Sequence, residues 1–496
     1  MIHLAERSWF NQGAFVKLIK NTIYNLAGLG LPLLVAVFCI PVLIRELGDA
    51  RFGLLTLIWA VVSYFGLFDL GLGRALTQLL AVAIVEKDEK RAGSLVATAT
   101  ALMAVLGIFA GILMALLAHW GVGLIQSVPD RQEAINAVLW MSLAMPFIVL
   151  TSGFRGVLEA RQAFGIVNAI RLPMGLFTFI GPVLVVVYGS AKLDAIACIL
   201  SVGRIVACAF HAWYALNSLR EGCGKLLFQR TLLKPLCISG GWLTLSNIIS
   251  PLMGYVDRFI IGGIISAAAV AYYTTPQEIV TKLWVVPGAM TAVLFPAFAT
   301  NFKKQDEQNK LIFAKAVHWL FLMIFPMTLI LAVFAREILT IWIGAEFAAQ
   351  STVLMQIFCI GILINCLAHV PFTLIQGAGQ PRITAIIHSI ELPLFLMILW
   401  GLTLKFGVLG AALAWILRMV ADTLIMFVVC NNLQGWSKKM LVGSDVFAYV
   451  LLASLGFLGV FLGDLVWRAV WILTVIVITA LVYVVRNQKM YIQKSE

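Results

Sequence analysis

The sequence predicts an all-α polytopic membrane protein of about fourteen transmembrane helices, with two parallel six-helix repeats around a central cavity and two further C-terminal helices. Three observations lead to this fold class. Of the 496 residues, 62% are hydrophobic and only 12% are charged. The apolar residues form long runs that are separated by short loops. The first six runs also resemble the next six.

The composition excludes several classes of protein. Soluble proteins carry about 25% charged residues, and the mean hydropathy of this chain is +1.00. The chain is therefore not a soluble enzyme, a secreted disulfide scaffold or a disordered protein. Its net charge of +12 does not indicate nucleic-acid binding, because the basic residues lie in short loops between apolar runs. The eight cysteines lack the CxxC spacing of metal-binding fingers.

The apolar runs have the length of transmembrane helices. A helix needs about 20 apolar residues to cross a bilayer, whereas a strand of a membrane barrel needs only about 9–11. We expect no cleavable signal peptide, because the first run is too long for the apolar region of one. The predicted spans cover residues 22–44, 53–72, 93–117, 134–154, 166–187, 195–216, 236–261, 271–299, 316–335, 353–375, 383–403, 408–430, 446–463 and 469–485.

Loop charges predict that both termini lie in the cytoplasm. An even number of spans places the two termini on the same side of the membrane. With the termini inside, the cytoplasmic segments hold 22 Lys and Arg residues and the outer loops hold 7, while the remaining 6 lie inside or at the edge of spans; this distribution fits the positive-inside rule. The loops have at most about 20 residues and contain no nucleotide-binding motif. We therefore do not expect ATP-driven transport by this chain alone.

Two segments in the two halves of the chain resemble each other. RGVLEARQAFGIVNAIRLP covers Arg155–Pro173, and QGAGQPRITAIIHSIELP covers Gln376–Pro393. Matching residues of the two halves lie 219 to 221 positions apart, which predicts a duplication with both halves in one orientation; chance similarity is the alternative. The predicted organisation is an N-terminal six-helix lobe at 1–217, a cytoplasmic linker at 218–234, a C-terminal six-helix lobe at 235–433, and two accessory transmembrane helices with a cytoplasmic tail at 434–496.

Two longer motifs resemble a known family. YFGLFDLGLGRALTQLLA covers Tyr64–Ala81, and Tyr255–Ala299 begins with YVDRFIIGG and contains a Leu-Phe-Pro-Ala motif. Both resemble the polysaccharide-export (Wzx-like, O-antigen flippase) family of the multidrug/oligosaccharidyl-lipid/polysaccharide exporter superfamily. QGAGQPR at Gln376–Arg382 and FGVLGAALAWIL at Phe406–Leu417 match further features of that family. The resemblance covers roughly residues 15–430.

The resemblance implies a flippase rather than an enzyme. Its substrate would be an undecaprenyl-pyrophosphate-linked oligosaccharide, such as an O-antigen or another surface polysaccharide repeat. This substrate would pass from the cytoplasmic to the periplasmic leaflet by alternating access. No cofactor is expected, although members of the superfamily commonly use a proton or sodium gradient. The expected location is the inner membrane, with membrane lipids, a polysaccharide polymerase and a chain-length regulator as candidate partners.

Basic residues inside the predicted spans are candidates for a cationic substrate site. An arginine at the bilayer centre costs about 2.5–3.5 kcal/mol on insertion scales, so it needs a cavity or a partner. Arg171 and Arg204 have no carboxylate three or four residues away, and a guanidinium can bind two phosphate oxygens at once. An interhelical ion pair or a bond to a backbone carbonyl is the alternative for each. The cationic candidates are Arg171, Arg204, Arg258, Lys282 and Arg418.

Several ionisable residues are candidates for coupling to an ion gradient. Glu391 lies three residues after His388 and two before Pro393, which frees a backbone carbonyl in the preceding turn. A carboxylate beside such a carbonyl suits a proton or a sodium ion. Glu278 precedes Lys282 by four residues, the spacing of an ion pair that is either structural or broken by substrate. The coupling candidates are Glu278, Glu391, His388 and Asp257, and hydrogen-bonded packing is the alternative role of His388.

Two further pairs of opposite charge allow a purely structural interpretation. Arg418 precedes Asp422 by four residues, and we expect this pair to pack the C-terminal lobe. Asp257 and Arg258 are adjacent, so their side chains point about 100° apart on a helix and cannot face one partner.

Three alternative functions are considered. A multidrug or cation antiporter of the same superfamily needs an acidic and aromatic site, whereas the candidates inside the spans here are five basic and four acidic residues. A flippase for a peptidoglycan lipid precursor would use the same architecture, and the sequence barely separates the two substrates. A membrane-bound polysaccharide polymerase usually needs a large outer loop or a carboxylate–metal motif, which the short loops do not favour.

Overall fold

The structure is a computed structural model that describes residues 12–65, 71–219, 226–301, 306–435 and 444–492. Within these ranges the regular secondary structure is helical, and no residue lies in a strand. The chain divides into two compact units, Met1–Ala271 and Tyr272–Glu496. The boundary between the units falls inside the eighth helix. The predicted all-α polytopic fold class is confirmed.

The first unit is a bundle organised around its fourth helix. This helix packs against α2, α3 and α6, while α5 packs against α1 and α6. The helices of the unit are α1 (Gln12–Phe65), α2 (Leu72–Val85), α3 (Glu89–Gly123), α4 (Arg131–Ala160), α5 (Phe164–Tyr188), α6 (Leu193–Leu219), α7 (Leu233–Ile264) and the first residues of α8 (Ala267–Thr281).

The second unit is organised around α12. This helix packs against α9, α10, α11 and α13, while α14 and α15 pack against α10 and against each other. The helices of the unit are α9 (Val285–Asn301), α10 (Asp306–Val333), α11 (Ala335–Trp342), α12 (Ala345–Gly377), α13 (Pro381–Gln434), α14 (Ser444–Phe457) and α15 (Leu465–Ile492).

Each predicted span overlaps a helix in the part of the chain that the structure describes. Nine helical stretches of these residues are long and apolar enough to cross a membrane. Two of the helices, α1 and α13, have 54 residues each and contain two predicted spans each. The end of the second span and part of the Tyr64–Ala81 motif lie outside the described residues. The number of fourteen spans stays a prediction.

Both 54-residue helices are divided by a glycine. Gly48 in α1 has φ 74° and ψ 161°, and Gly407 in α13 has φ 61° and ψ −139°. Glycine adopts a positive φ without the steric cost that other residues have. A Cβ atom on Gly410 would lie 1.9 Å from the carbonyl oxygen of Leu402, so the chain turns sharply around Gly407. Each glycine falls between two predicted spans and separates the two arms of its helix.

Small residues allow the helices of the first unit to approach one another closely. A Cβ atom on Gly107 of α3 would lie 2.6 Å from the Cα atom of Pro146 in α4. A Cβ atom on Gly156 of α4 would lie 2.7 Å from the carbonyl oxygen of Gly73 in α2. Lipid offers no hydrophobic force between helices, so membrane bundles depend on such close packing. The contacts explain why α4 lies at the centre of the unit.

An ion pair joins three helices of the first unit. The guanidinium of Arg51 donates to both carboxylate oxygens of Glu133, from Nε at 3.0 and 3.2 Å and from Nη2 at 3.0 Å. The backbone N–H of Leu193 donates to the same carboxylate at 2.5 Å. The Asp130 side chain caps the start of α4 by accepting from the N–H groups of Gln132 and Glu133. The Glu133 carboxylate therefore connects the second arm of α1 with the starts of α4 and α6.

The same turn ends the central helix of each unit. Gln162 follows α4 with φ 56°, and Gly379 follows α12 with φ 74°. The next residue in each case donates its N–H to the carbonyl five positions earlier, at 2.9 and 3.2 Å. The two turns lie 217 positions apart, which is close to the spacing of the repeated segments. The duplication itself stays a prediction.

The predicted eighth span is interrupted in the structure. α8 ends at Thr281, a 3₁₀ turn covers Lys282–Trp284, and α9 begins at Val285. Pro287 has no N–H to donate to the carbonyl of Leu283, so one α-helical hydrogen bond is missing at this position. The turn contacts α12, and it brings the indole N–H of Trp284 within hydrogen-bond distance of Asn365 in that helix.

The C-terminal helix pair is attached to the second unit by polar contacts. Arg468 at the start of α15 donates from Nη1 to Glu337 of α11 at 2.7 Å. Its Nε donates to the carbonyl of Leu462 at 2.5 Å. The Trp471 indole donates to the carbonyl of Gly456 at 3.0 Å. These bonds connect α15 both to α11 and to α14.

Candidate functional site

Two of the cationic candidates lie on neighbouring helices of the first unit. Arg171 is on α5 and is exposed, and Arg204 is on α6 and is partly buried. The charged neighbours of Arg171 are Arg155 and Glu159 of α4, which pair with each other at 3.5 Å. Among the residues that the structure describes, no carboxylate oxygen lies within 4.0 Å of a nitrogen of either guanidinium. Neither charge is neutralised by a carboxylate in this part of the chain.

Packing fixes the position of Arg204 along α6. A Cβ atom on the preceding residue, Gly203, would lie 2.5 Å from the ring of Phe177 in α5, so the two helices touch here. Ser201 donates from Oγ to the carbonyl of Trp140 in α4 at 2.8 Å. These contacts hold α6 against two neighbours within one turn of the arginine. The backbone at Arg204 is therefore fixed by helix packing.

Three ionisable side chains form a cluster in the second unit. His388 and Glu391 are three residues apart on the first arm of α13, while Asp422 belongs to the second arm. An imidazole nitrogen and one oxygen of each carboxylate all lie within 4.8 Å of one another. The Nε2 atom of His388 is 3.6 Å from Oδ1 of Asp422. We call these three residues the α13 cluster.

Glu391 is the most unusual member of the α13 cluster. Its residue surface is only 7% exposed, and within the described part of the chain neither of its carboxylate oxygens has a hydrogen-bond partner. An isolated carboxylate in a low-dielectric interior is unfavourable unless it binds a proton or a cation. The position of Glu391 therefore calls for a positively charged ligand or a proton.

Hydrogen bonds connect the α13 cluster to the break in the eighth span. Asn365 of α12 donates from Nδ2 to Oδ2 of Asp422 at 3.4 Å. The Oδ1 atom of Asn365 accepts from the indole N–H of Trp284 at 2.9 Å. His369, one turn further along α12, has its Nδ1 atom 3.1 Å from the carbonyl oxygen of Asn365. A polar chain thus runs from Trp284 through Asn365 and Asp422 to His388.

Aromatic rings contact two ionisable side chains near these hydrogen bonds, His388 and Arg418. The His388 imidazole is stacked on Phe372 of α12, with ring centroids 6.1 Å apart and an interplanar angle of 17°. The Arg418 guanidinium lies over the ring of Phe395, 5.3 Å from its centroid. Such contacts limit the rotamers of a side chain without removing its charge. The imidazole is therefore oriented before any ligand arrives.

The remaining predicted residues are not members of the α13 cluster. Asp257 and Arg258 of α7 belong to the first unit and are buried. The Arg258 guanidinium lies 5.0 Å from the centroid of the Tyr255 ring, while Oδ1 of Asp257 accepts from the backbone N–H of Arg258 at 2.9 Å. Lys282 and Glu278 form the ion pair that their spacing predicts, at 2.7 Å, and both side chains are exposed.

The sequence reveals part of the α13 cluster and misses the rest. The spacing of three residues between His388 and Glu391 identifies both as neighbours on one helix face. Asp422, by contrast, lies four residues after Arg418, so the sequence predicts Arg418 as its partner. In the structure His388 and Asn365 contact the Asp422 carboxylate. No periodic pattern relates Asp422 or Asn365 to the first arm of α13. Nothing in the sequence identifies Trp284 as part of this group, because its hydrogen bond to Asn365 depends on the interruption of the eighth span.

A bundle of apolar helices that encloses ionisable side chains is the organisation of polytopic membrane transport proteins. Solved structures of such proteins have the same fold. An inward-facing multidrug resistance MATE family transporter of the MOP superfamily has a TM-score of 0.71 at 15% identity, covering 86% of this chain and 96% of that chain. The lipid II flippase MurJ in an inward closed conformation has a TM-score of 0.71 at 13% identity, covering 95% of this chain and 100% of that chain.

Sequence comparison gives the family. The profile described as polysaccharide biosynthesis protein matches residues 18–302. A Shigella flexneri protein named "Putative O-antigen transporter" is 31% identical over 412 residues, covering 83% of this chain and 97% of that protein. A Haloferax volcanii protein named "Probable low-salt glycan biosynthesis flippase Agl15" is 24% identical over 303 residues, covering 57% and 63% of the two chains. This chain belongs to the polysaccharide biosynthesis protein family, as its sequence motifs predict.

Proposed function

We propose that this protein is a flippase for an undecaprenyl-pyrophosphate-linked oligosaccharide, such as an O-antigen repeat. The observation that carries the proposal is the similarity over 97% of the length of the Shigella flexneri protein named as an O-antigen transporter. The shared fold with the lipid II flippase MurJ supports transport of a lipid-linked sugar. Neither comparison favours a polysaccharide polymerase. The substrate would move from the cytoplasmic to the periplasmic leaflet of the inner membrane.

The headgroup of such a substrate is an anion, and Arg171 and Arg204 suit it. A guanidinium forms paired, charge-assisted hydrogen bonds with phosphate oxygens. Placing an arginine at membrane depth costs about 2.5–3.5 kcal/mol on insertion scales, which a bound diphosphate would offset. Both side chains lack a carboxylate partner among the described residues. Arg258, Lys282 and Arg418 remain additional cationic candidates, although Lys282 is already paired with Glu278.

Coupling to a proton or sodium gradient is assigned to the second unit. Of the candidates Glu278, Glu391, His388 and Asp257, we favour Glu391 and His388, because they share a buried cluster with Asp422. Glu278 is exposed and paired with a lysine. The membrane potential contributes about 2.3 kcal/mol per charge per 100 mV, so outward movement of an anionic headgroup is favourable by itself. We therefore place the ion-dependent step in the return of the empty carrier.

The proposed organisation has two lobes, a linker and an accessory helix pair, at the positions that the sequence predicts. Residues 1–217 and 235–433 would form the two six-helix lobes, residues 218–234 the cytoplasmic linker, and residues 434–496 the accessory helix pair and tail. Both termini would lie in the cytoplasm, as the loop charges predict. A polysaccharide polymerase and a chain-length regulator would act on the exported repeat.

The proposal is tested by complementation of a strain that lacks the gene. Arg204→Gln and Arg171→Gln should lower the amount of surface polysaccharide at least about tenfold, because each removes a charged hydrogen bond of about 1.5–3 kcal/mol. Arg204→Lys should retain only part of the export, since lysine keeps the charge but cannot form two parallel hydrogen bonds with a phosphate. The matched control is Arg45→Gln, whose side chain is 88% exposed and should have no effect.

The location of the lipid-linked intermediate separates flipping from later steps. In the two arginine variants, lipid-linked oligosaccharide should accumulate on the inner leaflet while the protein remains in the membrane at normal abundance. Normal export by both variants contradicts the cationic-site assignment. A strain with normal surface polysaccharide but new sensitivity to cationic drugs would instead support the multidrug antiporter.

A further inference from the structure

The α13 cluster offers one nitrogen and two oxygen ligands from two different arms of a helix. His388 contributes an imidazole, and Glu391 and Asp422 contribute carboxylates whose ligand atoms lie within 4.8 Å of each other and of the imidazole nitrogen. Sodium, magnesium and calcium prefer oxygen ligands, whereas imidazole is the characteristic ligand of zinc and related metals. The ligand types therefore indicate a divalent transition-metal ion.

One distance within the cluster already matches the geometry of such an ion, and the other ligand atoms lie within 4.8 Å. Bonds of about 2.0–2.2 Å from a tetrahedral zinc ion place its ligand atoms roughly 3.3–3.6 Å apart. The Nε2 atom of His388 and Oδ1 of Asp422 are 3.6 Å apart. The Nδ2 group of Asn365 holds the other oxygen of Asp422, and Phe372 holds the plane of the imidazole. Partners of this kind orient metal ligands in known sites.

Burial and charge favour a positively charged ligand. Glu391 is 7% exposed, and within the described ranges neither of its oxygens has a hydrogen-bond partner. Two carboxylates and a neutral imidazole together carry two negative charges, which a divalent ion neutralises. The positive charge of nearby Arg418 acts on Glu391 as well, and the ring of Phe395 leaves that charge in place, so these four groups together carry one negative charge. A protein site with three ligands also leaves a fourth position open for water.

We infer that His388, Glu391 and Asp422 form a binding site for a divalent transition-metal ion of the zinc class. The ion connects the two arms of α13 across Gly407. Through Asn365 and Trp284 it is also connected to the break between α8 and α9. A bound zinc-class ion and the gradient ion proposed above would compete for Glu391 and His388, so tight metal binding excludes coupling through these two residues. Metal binding is measured on the purified chain and does not require transport of lipid-linked sugar.

Zinc binding to the full-length protein in detergent tests this inference. We expect one high-affinity site per chain in equilibrium dialysis with Zn²⁺. Each of His388→Gln, Glu391→Gln and Asp422→Asn should weaken binding at least about 100-fold, since even the loss of an outer partner costs about 10–100-fold. The matched controls are His119→Gln and Glu346→Gln, which alter exposed residues of the same types. Both controls should bind zinc as the unaltered protein does.

A second measurement distinguishes this site from the cysteines. X-ray absorption of the zinc-loaded protein should show nitrogen and oxygen ligands only. Sulfur ligands, absence of high-affinity binding, or undiminished binding by Glu391→Gln would each overturn the inference. Thermal unfolding in the absence of metal shows whether a variant is folded, and zinc should raise Tm only in the unaltered protein and the two controls.

Discussion

Replacing Glu133 by glutamine should destabilise the first unit. The substitution keeps the size of the side chain and removes its negative charge. Glu133 accepts from Arg51 through two nitrogens and from the backbone N–H of Leu193. It also lies at the point where the second arm of α1 meets the starts of α4 and α6. The change therefore weakens three connections at once.

The size of the effect follows from the burial of the two partners. Removing one member of a buried ion pair costs about 3–5 kcal/mol. The Glu133 side chain is 6% exposed, but that of Arg51 is 34% exposed, so water recovers part of the loss at the guanidinium. The glutamine carbonyl can still accept one hydrogen bond from Leu193. We therefore expect a loss of about 2 kcal/mol, which corresponds to a Tm lower by about 4–8 °C.

The assay is thermal unfolding of the purified protein in detergent, followed by tryptophan fluorescence. Arg45→Gln is the control, because Arg45 pairs with Glu46 only at 4.0 Å and its side chain is 88% exposed. Its Tm should stay within about 1 °C of the unaltered protein, as expected for a surface pair. If Glu133→Gln melts at the same temperature as the unaltered protein, the buried carboxylate does not hold the three helices together.

Three further predictions concern the second unit, each measured as Tm in detergent. Gly361→Ala should lower stability by about 1–3 kcal/mol, because its Cβ would lie 2.4 Å from the buried ring of Trp415; Gly401→Ala, with no atom within 4 Å of its Cβ, is the control and should be neutral or stabilising. Gly407→Ala should cost about 1–3 kcal/mol through backbone strain at φ 61°, and no loss would contradict the turn described there. Arg468→Gln should lower the free energy of unfolding by about 1–3 kcal/mol, which is seen as a lower Tm. In this variant a protease should digest α14 and α15 before the other helices. Simultaneous digestion of all helices would refute a separate attachment of this helix pair.

Much of the fold was predictable because lipid restricts the options of the chain. A run of about 20 apolar residues in a bilayer becomes a helix, since every backbone N–H and C=O must be satisfied within it. Gly48 and Gly407 were recognisable only as residues between predicted spans; the sharp turns appear in the structure. The break after Thr281 was not predicted, because hydropathy does not record the hydrogen bond that Pro287 cannot make.

The candidate site was predictable only where its residues share a helix face. His388 and Glu391 are three positions apart, so helical geometry alone places them together. Asp422 joins them because α13 turns at Gly407, and Asn365 joins because α12 packs against α13. These partners come from other helical segments, and no local periodicity encodes which segments will meet.

By itself, the sequence determined that the chain is a membrane-embedded helical bundle with charges inside its apolar spans, because hydropathy and charge depend only on composition along the chain. The tertiary structure decided which charges are paired. It left Arg171 and Arg204 without a carboxylate among the described residues, and it placed Asp422 beside His388. Charge pairing depends on distances across helices, and those distances are set by glycine turns and close helix packing rather than by spacing along one segment.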